Sequence, residues 1–191
     1  MKIALLIDTW YPTIGGGQAN AFEISKRIAS KKFQIDIITR DTGRDDLKYP
    51  QSLKVIKLGT KRSPNSIFGK SLFVLSSLFY VFKNDYDLVH AHAFLPGLTA
   101  RLLKSFKGIP AIFTVHGTSI QSELLNPISK CLEKLILTQI LYSVQITVSR
   151  DFKSLKNINS NIVYIPNGAD FSKKTQKNKM ESNKNLLFVG R

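Results

Sequence analysis

Three histidines stand where apolar runs end: His90 and His92 in Asp87-Leu88-Val89-His90-Ala91-His92, and His116 in Thr114-Val115-His116-Gly117. Imidazole ligates zinc, moves protons near neutral pH and hydrogen-bonds through either ring nitrogen. Two residues apart, His90 and His92 share a face if their run is a strand, so with His116 they could form a three-histidine zinc site. The other reading is local hydrogen bonding at a sheet edge, or contact with a ligand.

A second cluster is Gly15-Gly16-Gly17, which follows the stretch Ile7-Asp8-Thr9-Trp10-Tyr11-Pro12-Thr13-Ile14. Three glycines in a row concentrate a backbone entropy cost, which implies positive φ or something that approaches the main chain closely. Between a strand and a helix, such a loop exposes N–H groups at the positive end of the helix dipole, where phosphate or a sugar hydroxyl can sit. It lacks the spacing of a dinucleotide fingerprint or a Walker lysine, and a flexible turn would use the same residues. Asp85-Tyr86-Asp87 has a spacing that can chelate a divalent cation, but it precedes its strand and so falls at the opposite sheet edge, as capping and turn aspartates do. Pro166-Asn167-Gly168 reads as a tight turn with positive φ. Arg191 is either a surface charge or a fork aimed at phosphate.

The elements that must position these residues alternate. Lys2–Ile7 is a nearly continuous aliphatic strand, and 18–31 follows with Ala21, Ile24 and Ile28 at helical spacing. Further strands are expected at 33–39, 53–58, 87–91, 111–115, 144–148 and 162–165, with helices at 67–82, 95–106 and 124–141, and Ser149 capping a short helix. Strands apolar throughout, alternating with helices, imply a doubly wound α/β domain with a parallel sheet covered on both faces. Ligands bind such folds at the carboxyl ends of the strands. Residues 172–184, Ser-Lys-Lys-Thr-Gln-Lys-Asn-Lys-Met-Glu-Ser-Asn-Lys, are polar, basic and aperiodic, as linkers are, and 185–191 reads as one new strand. The expected organisation is a domain over 1–171, a linker over 172–184 and the first strand of a second domain over 185–191.

With 191 residues and 43% hydrophobic content the chain can bury a real core. The apolar start is too short for a signal peptide or a span, so a cytoplasmic location is expected. The single cysteine, Cys131, excludes an intrachain disulfide or thiolate zinc cluster. It falls in the pattern Leu124, Leu125, Ile128, Cys131, Leu132, Leu135 and is expected in the core. The net charge of +15 raises nucleic acid as a partner. The excess is spread along the whole chain, with no arginine-rich helix or zinc-finger spacing, so a solvated basic surface is the better reading and no nucleic-acid partner is expected.

Taken in order, Gly-Gly-Gly after the first strand, Asp-Leu-Val-His-Ala-His, Phe-Thr-Val-His-Gly, Ile-Thr-Val-Ser, Val-Tyr-Ile-Pro-Asn-Gly-Ala-Asp and Leu-Leu-Phe-Val-Gly-Arg resemble the amino-terminal half of retaining GT-B glycosyltransferases of the group 1, or family 4, type. The resemblance runs the whole length of the chain. It implies a Rossmann-like acceptor domain facing a carboxyl-terminal donor domain, supplied in cis or in trans, and transfer of a hexosyl group from a UDP- or GDP-linked sugar to a carbohydrate or lipid-linked acceptor. It implies His116 as the catalytic residue beside the transferred sugar, Gly16, Gly17 and Arg191 as donor-binding residues, and Trp10, Tyr11 and Gln18 on the acceptor side. No metal and no cofactor beyond the donor substrate is implied. Gln18 and Asn20 stand where that family usually has Glu and His, Lys32-Phe33 replaces Gly-His, and Ser143 replaces an Asp. Because the donor domain's contacts are missing, the chain alone is expected to transfer little sugar. The alternatives are a non-catalytic sugar- or nucleotide-binding domain and one component of a split glycosyltransferase.

Residues 67–82 are apolar on nearly every side and too short to span a bilayer. The expectation is that one face enters the core while Phe or Tyr side chains on the other, beside Lys61, Arg62 and Lys70, are available to an anionic membrane surface. That would place the protein peripherally at the inner membrane face.

Overall fold

A computed structural model of the chain describes residues 1–13, 15–29, 33–59, 66–117, 127–150 and 156–168. The expected linker, the strand over 185–191, Arg191, Lys61, Arg62 and the short helix after Ser149 lie outside these residues.

Seven strands, β1 (Lys2–Ile7), β2 (Gln34–Arg40), β3 (Leu53–Leu58), β4 (Leu88–His92), β5 (Ala111–Val115), β6 (Val144–Thr147) and β7 (Ile162–Tyr164), form one parallel sheet in the order β3-β2-β1-β4-β5-β6-β7. Among the described residues four helices lie between them: α1 (Gly16–Ala29), α2 (Ile67–Lys83), α3 (Phe94–Lys107) and α4 (Pro127–Thr138). This is the Rossmann-like α/β arrangement the alternation predicts. The strand order reverses between β1 and β4, so the crevice beyond their carboxyl ends is the topological switch point, where ligands bind in such sheets.

The period-two alternation of β1 divides the core. Ala4 and Leu6 join Ile38, Phe73, Val81, Val89, Ala91, Leu103 and Phe113 under α2 and α3, while Ile3, Leu5 and Ile7 join Trp10, Ala21, Ile35 and Ile37 under α1. Each fully buried aliphatic or aromatic side chain contributes about 1.5–3 kcal/mol. Helix α2 starts where the Ser66 hydroxyl accepts from the Gly69 amide at 3.1 Å. Helix α3 stops at Gly108, whose φ of 70° suits only glycine without strain.

Two expectations about helix faces part company. On α2, Phe73, Ser77 and Val81 are buried, while Phe68, Leu75, Phe79 and Phe82 are exposed along the opposite side, as expected for a helix with one core face. On α4 the expected core face is wrong: Ile128, Leu132, Leu135 and Cys131 are exposed, and Glu133, Ile136 and Leu137 are inside. Periodicity identifies an apolar face, but the packing of α4 against α3 selects which residues are covered.

Candidate functional site

Strand β4 delivers His90 and His92, and β5 delivers Thr114 and, one residue past its end, His116. Val89, Ala91, Phe113 and Val115 point into the core under α2 and α3, so alternation turns the histidines and Thr114 to the α1 side of the sheet. His90 Nε2 lies 2.7 Å from Thr114 Oγ1, and His92 Nδ1 lies 2.7 Å from His116 Nε2. The His92 and His116 rings are nearly parallel, at 22° with centroids 5.0 Å apart, and meet edge to edge, and the His90 ring lies 4.3 Å from that of His92. The structure thus brings together all three predicted histidines, and adds Thr114, which stands in the Thr-Val-His-Gly stretch but is not among the predicted site residues.

Two nitrogens on a tetrahedral zinc, each about 2.0–2.1 Å from it, stand roughly 3.4 Å apart. The His92–His116 separation is that of a hydrogen bond. Among the described residues no group of three His, Cys, Asp or Glu side chains is placed to hold a metal. Burial pushes the His90 pKa down to about 4, with the His116 charge adding to the effect, and holds His92 well below the ordinary histidine value. Burial lowers His116 as well. All three rings are therefore neutral at physiological pH, and suited to polar contact with a ligand rather than to ion pairing.

The glycine cluster opens α1. The first helical bond runs from the Ala19 amide to the Gly15 carbonyl at 3.0 Å, so the amides of Gly16, Gly17 and Gln18 precede the intrahelical ladder. Neither Gly16 nor Gly17 has positive φ; both are helical, which corrects the first of the two readings and leaves close approach. A Cβ on Gly17 would stand 3.4 Å from His116 Cδ2, whereas one on Gly16 would meet nothing. Gly17 thus lies next to His116, and a Cβ there would stand in ordinary van der Waals contact with the ring.

The aromatic residues differ from expectation. Trp10 is fully buried in the core beneath α1, where its indole Nε1 donates to the Tyr49 hydroxyl at 2.9 Å, so it cannot line an acceptor cleft. The physical reason is its area: the indole buries best against Tyr11, Phe22 and the odd residues of β1. Tyr11 is half-buried, edge-on to Trp10 and Phe22. Gln18 donates to Thr9 Oγ1 at 2.6 Å, tying the start of α1 to the end of β1.

A charge pair completes the same edge. The guanidinium of Arg40, 3% exposed, meets the Asp8 carboxylate through Nε at 2.8 Å and Nη2 at 3.0 Å. The parallel register, in which Leu6 faces Ile38, carries Asp8 and Arg40 to neighbouring strand ends two residues later. An acid and a base ending consecutive apolar strands were the available signal, and sequence reasoning missed it. After His92 the backbone turns through Ala93, whose φ of 71° is strained for a residue with a side chain.

Asp85 and Asp87 stay at the opposite edge, bonded to Lys107 and to the Lys2 amide. Gly168 does not have the positive φ expected of the Pro-Asn-Gly segment, because 165–168 runs as irregular chain and not as a tight turn. Asn167 Oδ1 instead accepts from Asn20 Nδ2 at 2.9 Å, beside a groove of about 510 Å³ lined by Gly16, Asn20, Arg27 and Gly168.

Known proteins resemble this chain in fold and in sequence. Glycosyltransferase Family 4 matches residues 14–173. The chain is 27% identical over 183 residues to a component of the human phosphatidylinositol N-acetylglucosaminyltransferase, covering 88% of this chain and 37% of that protein. It is 25% identical over 123 residues to the Escherichia coli UDP-Gal:alpha-D-GlcNAc-diphosphoundecaprenol alpha-1,3-galactosyltransferase, covering 63% of this chain and 32% of that one. Sucrose-phosphate synthase from Thermosynechococcus elongatus shares the fold with a TM-score of 0.71 at 19% identity, over 88% of this chain and 48% of that one. The chain thus spans about a third of the length of the two curated relatives, human and bacterial.

Proposed function

We propose, from the premise that this chain belongs to Glycosyltransferase Family 4, that it is the acceptor-side half of an enzyme that moves a hexosyl group from a UDP- or GDP-linked sugar to a carbohydrate or lipid-linked acceptor with retention. The observation that carries the reading is the joint placement of neutral His116 and the first turn of α1, packed through Gly17, at the carboxyl edge of the sheet. The free amides of that turn suit phosphate or sugar oxygens, and His116 suits a hydroxyl of the transferred sugar. In this reading Gly16 and Gly17 bind the donor, Arg191 contacts its diphosphate, and Tyr11 and Gln18 border the acceptor, with Trp10 supporting them from inside the core. No metal or further cofactor takes part, and a donor-binding domain is required in cis or in trans.

The chain mixed with a complementary donor-binding domain should transfer sugar from a nucleotide sugar, while each part alone should transfer little. Nucleotide-sugar binding without transfer by the mixture would favour a non-catalytic binding domain. Robust transfer by the 191-residue chain alone would overturn the assignment as a half-enzyme.

A lipid-linked acceptor is favoured by the exposed stripe of Phe68, Leu75, Phe79 and Phe82 on α2, with Lys83 following at its carboxyl end, and by the exposed Phe106 on α3. Both curated relatives are named for lipid substrates. Among the described residues no helix is long and apolar enough to cross a membrane, so the contact would be peripheral, from a cytoplasmic location. Vesicles containing anionic lipid should co-sediment the chain and release it at high salt, and Phe79→Ser with Phe82→Ser should weaken binding about tenfold. Equal, negligible binding to neutral and anionic vesicles would instead indicate a water-soluble acceptor.

A further inference from the structure

The shared proton between the two imidazoles can lie in only one of two ways. Either His92 Nδ1 carries it and His116 Nε2 accepts, or the reverse. The remaining nitrogens, His92 Nε2 and His116 Nδ1, are both buried and have no hydrogen-bond partner. In each arrangement one of them is a bare lone pair and the other an N–H without an acceptor. The costs differ because the sites differ. His92 is 0% exposed, with His90 packed on its ring, and an orphan N–H there has no acceptor within reach. His116 Nδ1 is buried too, but its residue is partly exposed, so a small shift of the ring or an arriving oxygen can satisfy an N–H there. An unsatisfied buried donor costs about 1–3 kcal/mol, so the proton arrangement that places the free N–H on His116 wins.

We propose that His92 is a positioning residue for His116: its Nδ1–H donates to His116 Nε2 and holds that ring in the tautomer that presents a single donor, Nδ1–H, to an oxygen of the ligand. His92 is itself well held. It ends β4 in register with Ile7 of β1, its ring packs on His90, and His90 is anchored by Thr114. Gly17 borders His116 on the α1 side. Burial keeps both rings neutral, so the arrangement does not depend on an added proton near pH 7. That the presented donor meets a sugar or phosphate oxygen rests on the proposed function; that His92 sets the tautomer does not.

Two readouts separate these claims. Two-bond nitrogen–proton correlation spectra of the ligand-free 191-residue chain, with labelled imidazoles, report the tautomer of each histidine. The wild-type chain should show His116 protonated at Nδ1 and bare at Nε2. His92→Leu, which fills the volume without a donor, should give a mixture of tautomers. His92→Asn, whose amide nitrogen falls near the place of Nδ1, should restore the wild-type pattern. His116 protonated at Nε2 in the wild type, or an unchanged pattern in His92→Leu, would overturn the proposal. Should His92→Leu fail to fold, the wild-type and His92→Asn spectra decide it. With the donor-binding domain present, His92→Leu should lower kcat about tenfold with KM within about twofold, and His92→Asn should recover most of that loss. The expected tautomers without transfer by any variant would uphold the positioning role and refute the proposed function; the reversed tautomer with active transfer would do the opposite.

Discussion

His116→Ala, in a protein that joins this chain to a donor-binding domain, is expected to lower kcat/KM for sugar transfer by about 10²–10³-fold, the range seen when one preorganised donor is removed from a reacting centre. Stability should fall by a smaller amount. The ring is half-buried, and its loss leaves His92 Nδ1 without a partner, which costs about 1–3 kcal/mol. Parallel measurement of transfer kinetics and urea unfolding distinguishes the two effects. Gly17→Val is the companion variant, because side-chain atoms beyond a Cβ already 3.4 Å from His116 must displace that ring or block the α1 amides. It should reduce transfer and nucleotide-sugar affinity while the fold persists. A kcat/KM within about threefold of wild type in His116→Ala would remove the residue from the site.

The largest stability effect is expected at Asp8. Substituting alanine leaves the Arg40 guanidinium, with a side chain 4% exposed, without its bidentate carboxylate. Breaking a buried pair by removing one partner costs about 3–5 kcal/mol, and because Arg40 keeps other bonds, among them one to the Asp8 main-chain carbonyl, the low end of that range is expected. Equilibrium urea unfolding should therefore show a much lower midpoint with an unchanged slope. Replacing both residues, Asp8→Leu with Arg40→Met, should cost less than the single change, because no charge is left stranded. A loss below about 1 kcal/mol in Asp8→Ala would mean that water or other groups already solvate Arg40. The pair ties the ends of β1 and β2 at the base of the glycine loop, so even a folded Asp8→Ala protein should bind a nucleotide sugar more weakly.

Several features of this arrangement were legible one residue at a time. The apolar runs that become β1 and β5 are nearly unbroken, as strands buried on both faces must be, and the glycine cluster does open a helix. Histidines ending β4 and β5 could be placed at one sheet edge because parallel strands all point their carboxyl ends the same way. Trp10 shows where such reading stops. An aromatic residue in a loop beside glycines is equally suited to a cleft or a core, and only the unfilled space beneath α1 decided that it goes inside. Helix α4 makes the same point with opposite sign. Ile128, Leu132 and Leu135 form an apolar stripe in the sequence, yet α3 packs elsewhere and leaves the stripe uncovered.

By itself the sequence determined the alternation of elements, the parallel sheet and the edge at which its polar residues gather, because these follow from local periodicity and from chain direction. The tertiary structure alone decided which atoms meet. The contacts of His92 with His116 and of His90 with Thr114 depend on the cross-strand register between β4 and β5. Asp8 finds Arg40 through the register between β1 and β2, thirty-two residues apart in sequence. A one-residue slip in either register would turn these side chains to the opposite face of the sheet. What prevents the slip is the burial of both faces at once, a property of the assembled sheet that no single segment carries.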